Sequence, residues 1–571
     1  MPLNRSTRNH PQTTQPGTAA SLLGQLGQRP VNRRSFLGLL GGVAVAASIP
    51  AALTACGSGG STTQITSSSG LGETIAKLIP NYYPIDLATP DIPGVNGSTP
   101  GFTTVPAQLT KSVASTPGKG GTYTAMSPAW WSVPPAAPGN SYYGAVNKEL
   151  GATINFQVND GNTYGDKIQT VLASPKDVPD WVVIPSWNLP PRFGQAAENL
   201  FTDLSEYLAG DKVKKYPNLA NLPTDAWKYS VFSGGLYGLP YPGTLLNDAL
   251  FFRADLFEEL GLEQPTSAAE YLEVAKEATD ASKNRWGSDD VWNLAQIMHG
   301  VVPMWKEVDG KLQHKLESDE YRAALEWTAQ LFASGAVHPD AVAGNTQMAK
   351  SRFESGATLM TGDGLGSWHE ALARVLPTNP GFRMQAMDYF APDGGKPTLF
   401  KASPASIFSF IKKTDDPAKI EEILALADYM AAPFGTEENQ LIVNGVEGVH
   451  YELDAQNIPQ ATDKGRNEVT STYAFLVSPP VVNSMVQYPG YVQERSEWEA
   501  RQAPNVQEGL FFGMQIQEDT KYASLGAPFD DLAKDIVRGR KKISDLDSAL
   551  ATWKKSGGDE LRDFYAGFLS A

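Results

Sequence analysis

The residues in this sequence best suited to chemistry are aromatic rings set in Pro- and Gly-rich turns. Trp130 and Trp131 stand in Met126-Ser127-Pro128-Ala129-Trp130-Trp131-Ser132, just after a short strand signal at 122–126. Trp187 stands in Ile184-Pro185-Ser186-Trp187-Asn188, after the apolar run 181–184. Tyr241 follows Gly238-Leu239-Pro240, and Asp363 and Trp368 accompany the glycine-rich stretch Gly362-Asp363-Gly364-Leu365-Gly366. An aromatic face pairs with a flat C–H face, while carboxylates accept hydroxyl hydrogen bonds at its rim. The set therefore suits a ligand shaped like a sugar ring, although each Trp alone would serve equally well in a core. Glu447 and His450, in Gly445-Val446-Glu447-Gly448-Val449-His450-Tyr451, read either as cleft lining or as a structural turn.

Other chemistries lack their residues. The glycine stretch before the 367–375 helix pattern is no phosphate loop, because no Lys-Ser/Thr follows and Ser367 interrupts G-x-G-x-x-G. It reads instead as a flexible turn that lets the backbone approach a neighbour. His369-Glu370 is followed at 373 by Ala rather than the second His of a zinc protease motif, and there is no G-x-S-x-G nucleophile elbow. Asp280-x-Ser282-x-Asn284 has the start of a calcium loop, but its sixth position is Arg285 and its twelfth Val291, so neither the tight turn nor the bidentate carboxylate is present. One Cys and six His leave no basis for a Cys-rich or multi-His metal centre. No catalytic residue, metal or cofactor is expected.

The elements that must position these residues alternate. A strand at 122–126, a helix at 141–150, a strand at 153–158, a helix at 162–173 and the apolar strand 181–184 follow in β-α-β-α-β order, which predicts an α/β domain with ligands at the carboxyl ends of its strands. Amphipathic helices are expected near 255–260, 267–282, 317–334, 367–375 and 417–430, with strands at 357–361, 384–389 and 405–411. Ser267 with Glu270 marks a capping-box start.

The chain has 571 residues, enough for two large domains, with 46 Lys+Arg against 62 Asp+Glu and a net charge of −16. That balance argues against nucleic acid as a partner. The first 55 residues hold five Arg and no acid, then a weakly apolar stretch from 36 to 55. Asn32-Arg33-Arg34-Ser35-Phe36-Leu37 resembles a twin-arginine export motif, and Leu53-Thr54-Ala55-Cys56 a lipoprotein cleavage site. This predicts a signal peptide over 1–55. Cys56 would then carry a thioether-linked lipid with palmitate-like chains, holding the mature protein to the extracytoplasmic face of the cell membrane. Without residues 1–55 the chain keeps 41 Lys+Arg against the same 62 acids, a net charge of −21.

Four further stretches carry a resemblance. Gly235-Leu236-Tyr237-Gly238-Leu239-Pro240 leads to Phe251-Phe252-Arg253-Ala254-Asp255-Leu256-Phe257 and Leu260-Gly261-Leu262. Phe353-Glu354-Ser355-Gly356-Ala357-Thr358-Leu359-Met360, the 445–451 turn, and Trp553-Lys554-Lys555-Ser556-Gly557-Gly558-Asp559-Glu560 follow in order. Together these resemble the extracellular solute-binding lipoproteins of carbohydrate ABC importers, in the branch of aldouronate and alginate-oligosaccharide binders. The resemblance implies an α/β, two-lobed, type II periplasmic-binding-protein fold that closes by a hinge on its ligand. It implies a tether and extended arm over 56–118, a first lobe over 119–245 and 403–460, and a second over 246–402 and 461–571, with crossovers near 243–250, 400–406 and 455–475. It implies a non-catalytic monomer that captures an oligosaccharide or glycoside for a membrane permease and its cytoplasmic ATPase. Trp130, Trp131 and Trp187 would come from one lobe, Tyr241 from near the hinge and Trp368 from the other, with Asp363, Glu447 and His450 beside them. The alternative is an extracellular glycosidase or lyase, which needs a pair of opposed carboxylates. A surface adhesin or chaperone-like lipoprotein would show no saturable small ligand.

Overall fold

The computed structural model describes residues 68–569; Arg33, Arg34, Cys56 and the signal and tether readings built on them lie outside the described residues. The chain enters with a helix, Ser68–Leu78, where the sequence reading placed only tether and arm. Ile75 and Ile79, four residues apart and so on one face, are buried in the first lobe's core.

The first lobe begins with β1 (Thr122–Ala129), β2 (Thr153–Asp160), β3 (Trp181–Pro185) and β4 (Gly238–Pro242). β1 runs parallel to both β2 and β3. Every residue of β3 is buried, as its unbroken apolar run requires: Trp181 and Val183 enter the core on one sheet face, Val182 and Ile184 the core on the other. Between β1 and β2 lies helix Ser141–Leu150, capped by the Asn140 side-chain oxygen, which accepts from the Tyr142 and Tyr143 amides.

The chain then leaves this sheet and forms a second with β5 (Asp248–Arg253), β6 (Trp286–Ser288), β7 (Thr358–Gly364) and β8 (Met384–Ala386), in the order β8-β5-β7-β6. Gly362 and Asp363 belong to β7, opposite Leu250 and Ala249, so the expected flexible glycine turn is largely strand. Gly362 is there for space: a Cβ would stand 2.3 Å from Leu294 Cδ2. Ser267 caps helix Ala268–Ala278 as expected, but the Glu270 carboxylate reaches back to the amide and hydroxyl of Thr266, one residue earlier than in a capping box. Asp280 caps a short turn by accepting from Ser282, which accounts for the calcium-loop-like stretch.

A return passage brings β9 (Ala405–Ile411) into the first sheet, antiparallel to β3 and β4, completing the order β2-β1-β3-β9-β4. The chain stays with the first lobe through helix Thr472–Leu476, whose Tyr473 and Leu476 are buried there. From Tyr491 it joins the second core. This last passage falls later than the 455–475 expected, because the aromatic residues at 473–476 pack on the first sheet. The outward and return passages touch: the Ala402 amide donates to the Leu245 carbonyl at 3.0 Å.

Residues 80–118 form little regular structure but touch both lobes. Asn81 and Tyr83 hydrogen-bond Asp211 of the first. The Thr99 amide donates to Glu499 of the second at 2.9 Å. The Ser112 and Val113 amides return to Glu438 of the first.

Candidate functional site: an aromatic wall and a polar wall across the interlobe cavity

The carboxyl end of β1 delivers Trp130 and Trp131, and the turn Ser186–Asn188 after β3 delivers Trp187. Tyr241 sits in β4. These rings converge. Trp130 lies 6.0 Å from Trp187 and 6.0 Å from Phe475, while Phe475 lies 5.6 Å from Trp131 and 5.8 Å from Tyr241. Phe475, on helix Thr472–Leu476, is the ring that joins the others, and nothing in its surroundings in the sequence marks it. The Trp131 indole N–H donates to Thr470 Oγ1 at 3.1 Å, fixing that ring. Trp187 is 58% exposed, an unusual state for the largest apolar side chain and one that suits a surface awaiting a partner.

Trp130 also lines a cavity of about 820 Å³. Asn162 joins it from the first lobe, and Trp292, Lys350, Asp363 and Ser367 face it from the second. The volume lies within the range of small-ligand sites, roughly 300–1,000 Å³. Lys350 Nζ stands 3.6 Å from Asp363 and 3.7 Å from Glu370, loose pairings that leave these groups able to hydrogen-bond elsewhere. Asp363 also accepts from the Gly364 amide at 2.8 Å. Asp248, paired with Gly364 in register, is open to water yet crowded by protein: burial and then the Asp363 charge push its carboxyl up to about 6.

Three expected site residues lie elsewhere. Trp368 is 1% exposed and packs edge-on against Phe251 at 5.7 Å and Tyr491 at 5.5 Å, because the first turn of its helix points it into the second core. His450 is buried beneath the 445–451 turn, where its Nδ1 accepts from the Val446 amide at 3.0 Å and its Nε2 meets Ser141 Oγ at 3.0 Å. It ties that turn to the start of helix Ser141–Leu150 and is not among the residues lining the interlobe cavity. Glu447 is exposed on the same turn, outside the cavity lining. The sequence reading missed Phe475, Trp292, Ser367 and Asn162.

A two-lobed α/β body, with its loops facing each other across a cavity, defines a binding protein that holds a solute between lobes. Residues 134–437 match the bacterial extracellular solute-binding protein family, and the chain belongs to it. Lipoprotein LipO of Bacillus subtilis strain 168 is 23% identical over 450 residues, covering 73% of this chain and 86% of LipO. The polygalacturonan/rhamnogalacturonan-binding protein YtcQ of the same strain is 26% identical over 262 residues, covering 42% of this chain and 51% of YtcQ. An HMO-binding, ABC-transporter-associated solute-binding protein of Bifidobacterium longum infantis ATCC 15697 shares the fold with a TM-score of 0.57 at 15% identity, over 78% of this chain and 98% of that one. Among the described residues no helix is long and apolar enough to cross a membrane.

Proposed function

We propose that this solute-binding protein captures an oligosaccharide in the interlobe cavity and presents it, chemically unchanged, to an ABC permease driven by a cytoplasmic ATPase. The observation that carries this reading is the aromatic cluster Trp130, Trp131, Trp187, Tyr241 and Phe475 beside a cavity whose far wall sets Asp363, Lys350 and Ser367 with Trp292. Stacked rings take the C–H faces of sugars, and Asp363, Lys350 and Asn162 take hydroxyls. The sugar-binding descriptions of YtcQ and of the Bifidobacterium protein support the ligand class. The protein acts as a monomer, held through lipidated Cys56 to the outer face of the cell membrane after export through the twin-arginine signal at Arg33 and Arg34. LipO, a lipoprotein, supports the anchoring. A thermal-shift screen of the mature chain against neutral and uronic oligosaccharides tests the reading. Ligand at 100 times its Kd stabilises by about 2.7 kcal/mol, a shift of several degrees. No stabilisation by any sugar, or recovery of a cleaved sugar, would overturn it.

A further inference from the structure

We infer that the ligand is clamped between one indole from each lobe, Trp130 and Trp292, and that Gly161 is the positioning residue that aims the Trp130 face. The inference rests on the carbohydrate reading for its ligand and on the geometry for the residues. Trp130 has its back and flanks occupied. Trp187 and Phe475 stand 6.0 Å away on its sides. Behind it lies Gly161, where a Cβ would meet the indole Nε1 and Cε2 at 2.4 Å. The Gly161 backbone is tied down, its amide donating to the Ala129 carbonyl at 2.8 Å. A side chain at 161 must therefore displace the ring, since the backbone cannot yield. Nothing in the backbone conformation demands glycine here, as φ is not positive. Close approach of the ring is the only local reason for it. What remains of Trp130 faces the cavity.

Trp292 supplies the opposing ring that the sequence had assigned to Trp368. It is half-buried, opens helix Trp292–Met298, and lines the same cavity. Tyr321 backs it edge-on at 5.5 Å, and the Trp292 amide donates to Asp290 at 3.1 Å. Its position is set by the second lobe's core as firmly as Trp130 is set by Gly161. Ser367 lines the same cavity, and its Oγ is buried without a hydrogen-bond partner among the described residues. An orphan hydroxyl of this kind stays costly until something supplies a hydrogen bond. Two rings from opposite lobes and an unmet hydroxyl on one cavity fit a ring with two apolar faces and a polar edge, which a pyranose unit within a chain provides. A planar aromatic ring would satisfy the two indoles alone.

Calorimetric titration of the mature chain tests this, with an oligogalacturonide mixture and a malto-oligosaccharide mixture as sugar probes and quinoline as a planar aromatic probe. Trp292→Ala is expected to weaken sugar binding by about two- to tenfold, the scale of one lost stacking contact, with most of the affinity recovered in Trp292→Phe. Gly161→Ala is expected to weaken binding several-fold in the wild-type background and to have no further effect in Trp130→Ala, because it acts through that ring. Sugar affinity unchanged in a folded Trp292→Ala, or Gly161→Ala acting equally with and without Trp130, would overturn the clamp and leave the carbohydrate reading standing. Binding of quinoline but no sugar, lost in Trp292→Ala, would keep the clamp and overturn the carbohydrate reading. Binding of none of the probes would overturn both.

Discussion

Trp187 and Trp368 occupy similar settings in the sequence, each beside a turn that follows a strand, yet they end in opposite places. Trp187 follows β3 into solvent, whereas Trp368 is the second residue of helix Ser367–Val375 and rotates into the core. The difference is one of helix phase, which a single Trp in a short segment does not reveal. Trp368→Ala should cost about 3–5 kcal/mol of stability, by analogy with large-to-small core substitutions. Trp187→Ala should leave the melting temperature of the empty protein unchanged and reduce sugar affinity. Denaturant unfolding and calorimetry on the two variants check this, and the opposite pattern would exchange their roles. His450 teaches the same lesson. Its motif was legible, but only the fold shows Ser141 and Glu468 waiting beneath the turn.

At the scale of elements, the β-α-β-α-β order and the helix positions were readable because periodicity and Asn, Ser and Gly boundaries agree with the tertiary structure there. The arm was not, since segments without a period show no partner until the partner is folded. Its central tie is buried. Glu499 accepts from the Thr99 amide and pairs with Arg495 at 3.0 Å, with a side chain 0% exposed. Glu499→Ala leaves the Arg495 cation unpaired in the interior and should cost about 3–5 kcal/mol. By contrast, Glu437→Ala, which breaks the exposed pair with Lys111, should cost less than about 1 kcal/mol. Equal losses in urea unfolding would contradict the arm's buried anchorage.

Asp428 is buried on helix Pro417–Met430. Burial drives its carboxyl up to about 7, the amides of Leu219 and Asn218 oppose that rise, and the Glu438 charge adds to it. A carboxyl raised from its ordinary 3.8 binds its proton more tightly in the folded state. Its contribution to stability is therefore full below 3.8 and lost as pH rises to about 7. Asp428→Asn keeps an oxygen for both amides and should flatten the melting-temperature profile over that interval, gaining most near pH 7. A profile identical to that of the wild type would remove Asp428 from the account.

For the whole molecule, the resemblance anticipated two lobes and repeated passages between them. It did not anticipate the contacts that bridge them. Arg192 of the first lobe pairs with Asp519 at 2.6 Å, and the Gly194 amide donates to Gln517 at 3.1 Å. These residues lie more than 300 positions apart in the chain, and no local pattern links them. The proposed attachment to the membrane is likewise tested on the whole molecule. Mass spectrometry of membrane-extracted protein should find Cys56 as the lipid-bearing first residue. A mature N-terminus elsewhere, or a Cys56→Ala protein that stays in the membrane fraction, would refute the anchor.

In the function proposed above, one sugar chain is held between the lobes and returned unchanged. Calorimetric titration of the mature chain with the sugar that most raises its melting temperature, followed by mass analysis of the recovered sugar, tests it most directly. A stoichiometry of one, affinity that falls in both Trp130→Ala and Trp292→Ala, and a sugar of unaltered mass are expected. A cleaved or rearranged product, or affinity that survives the loss of both rings, would contradict it.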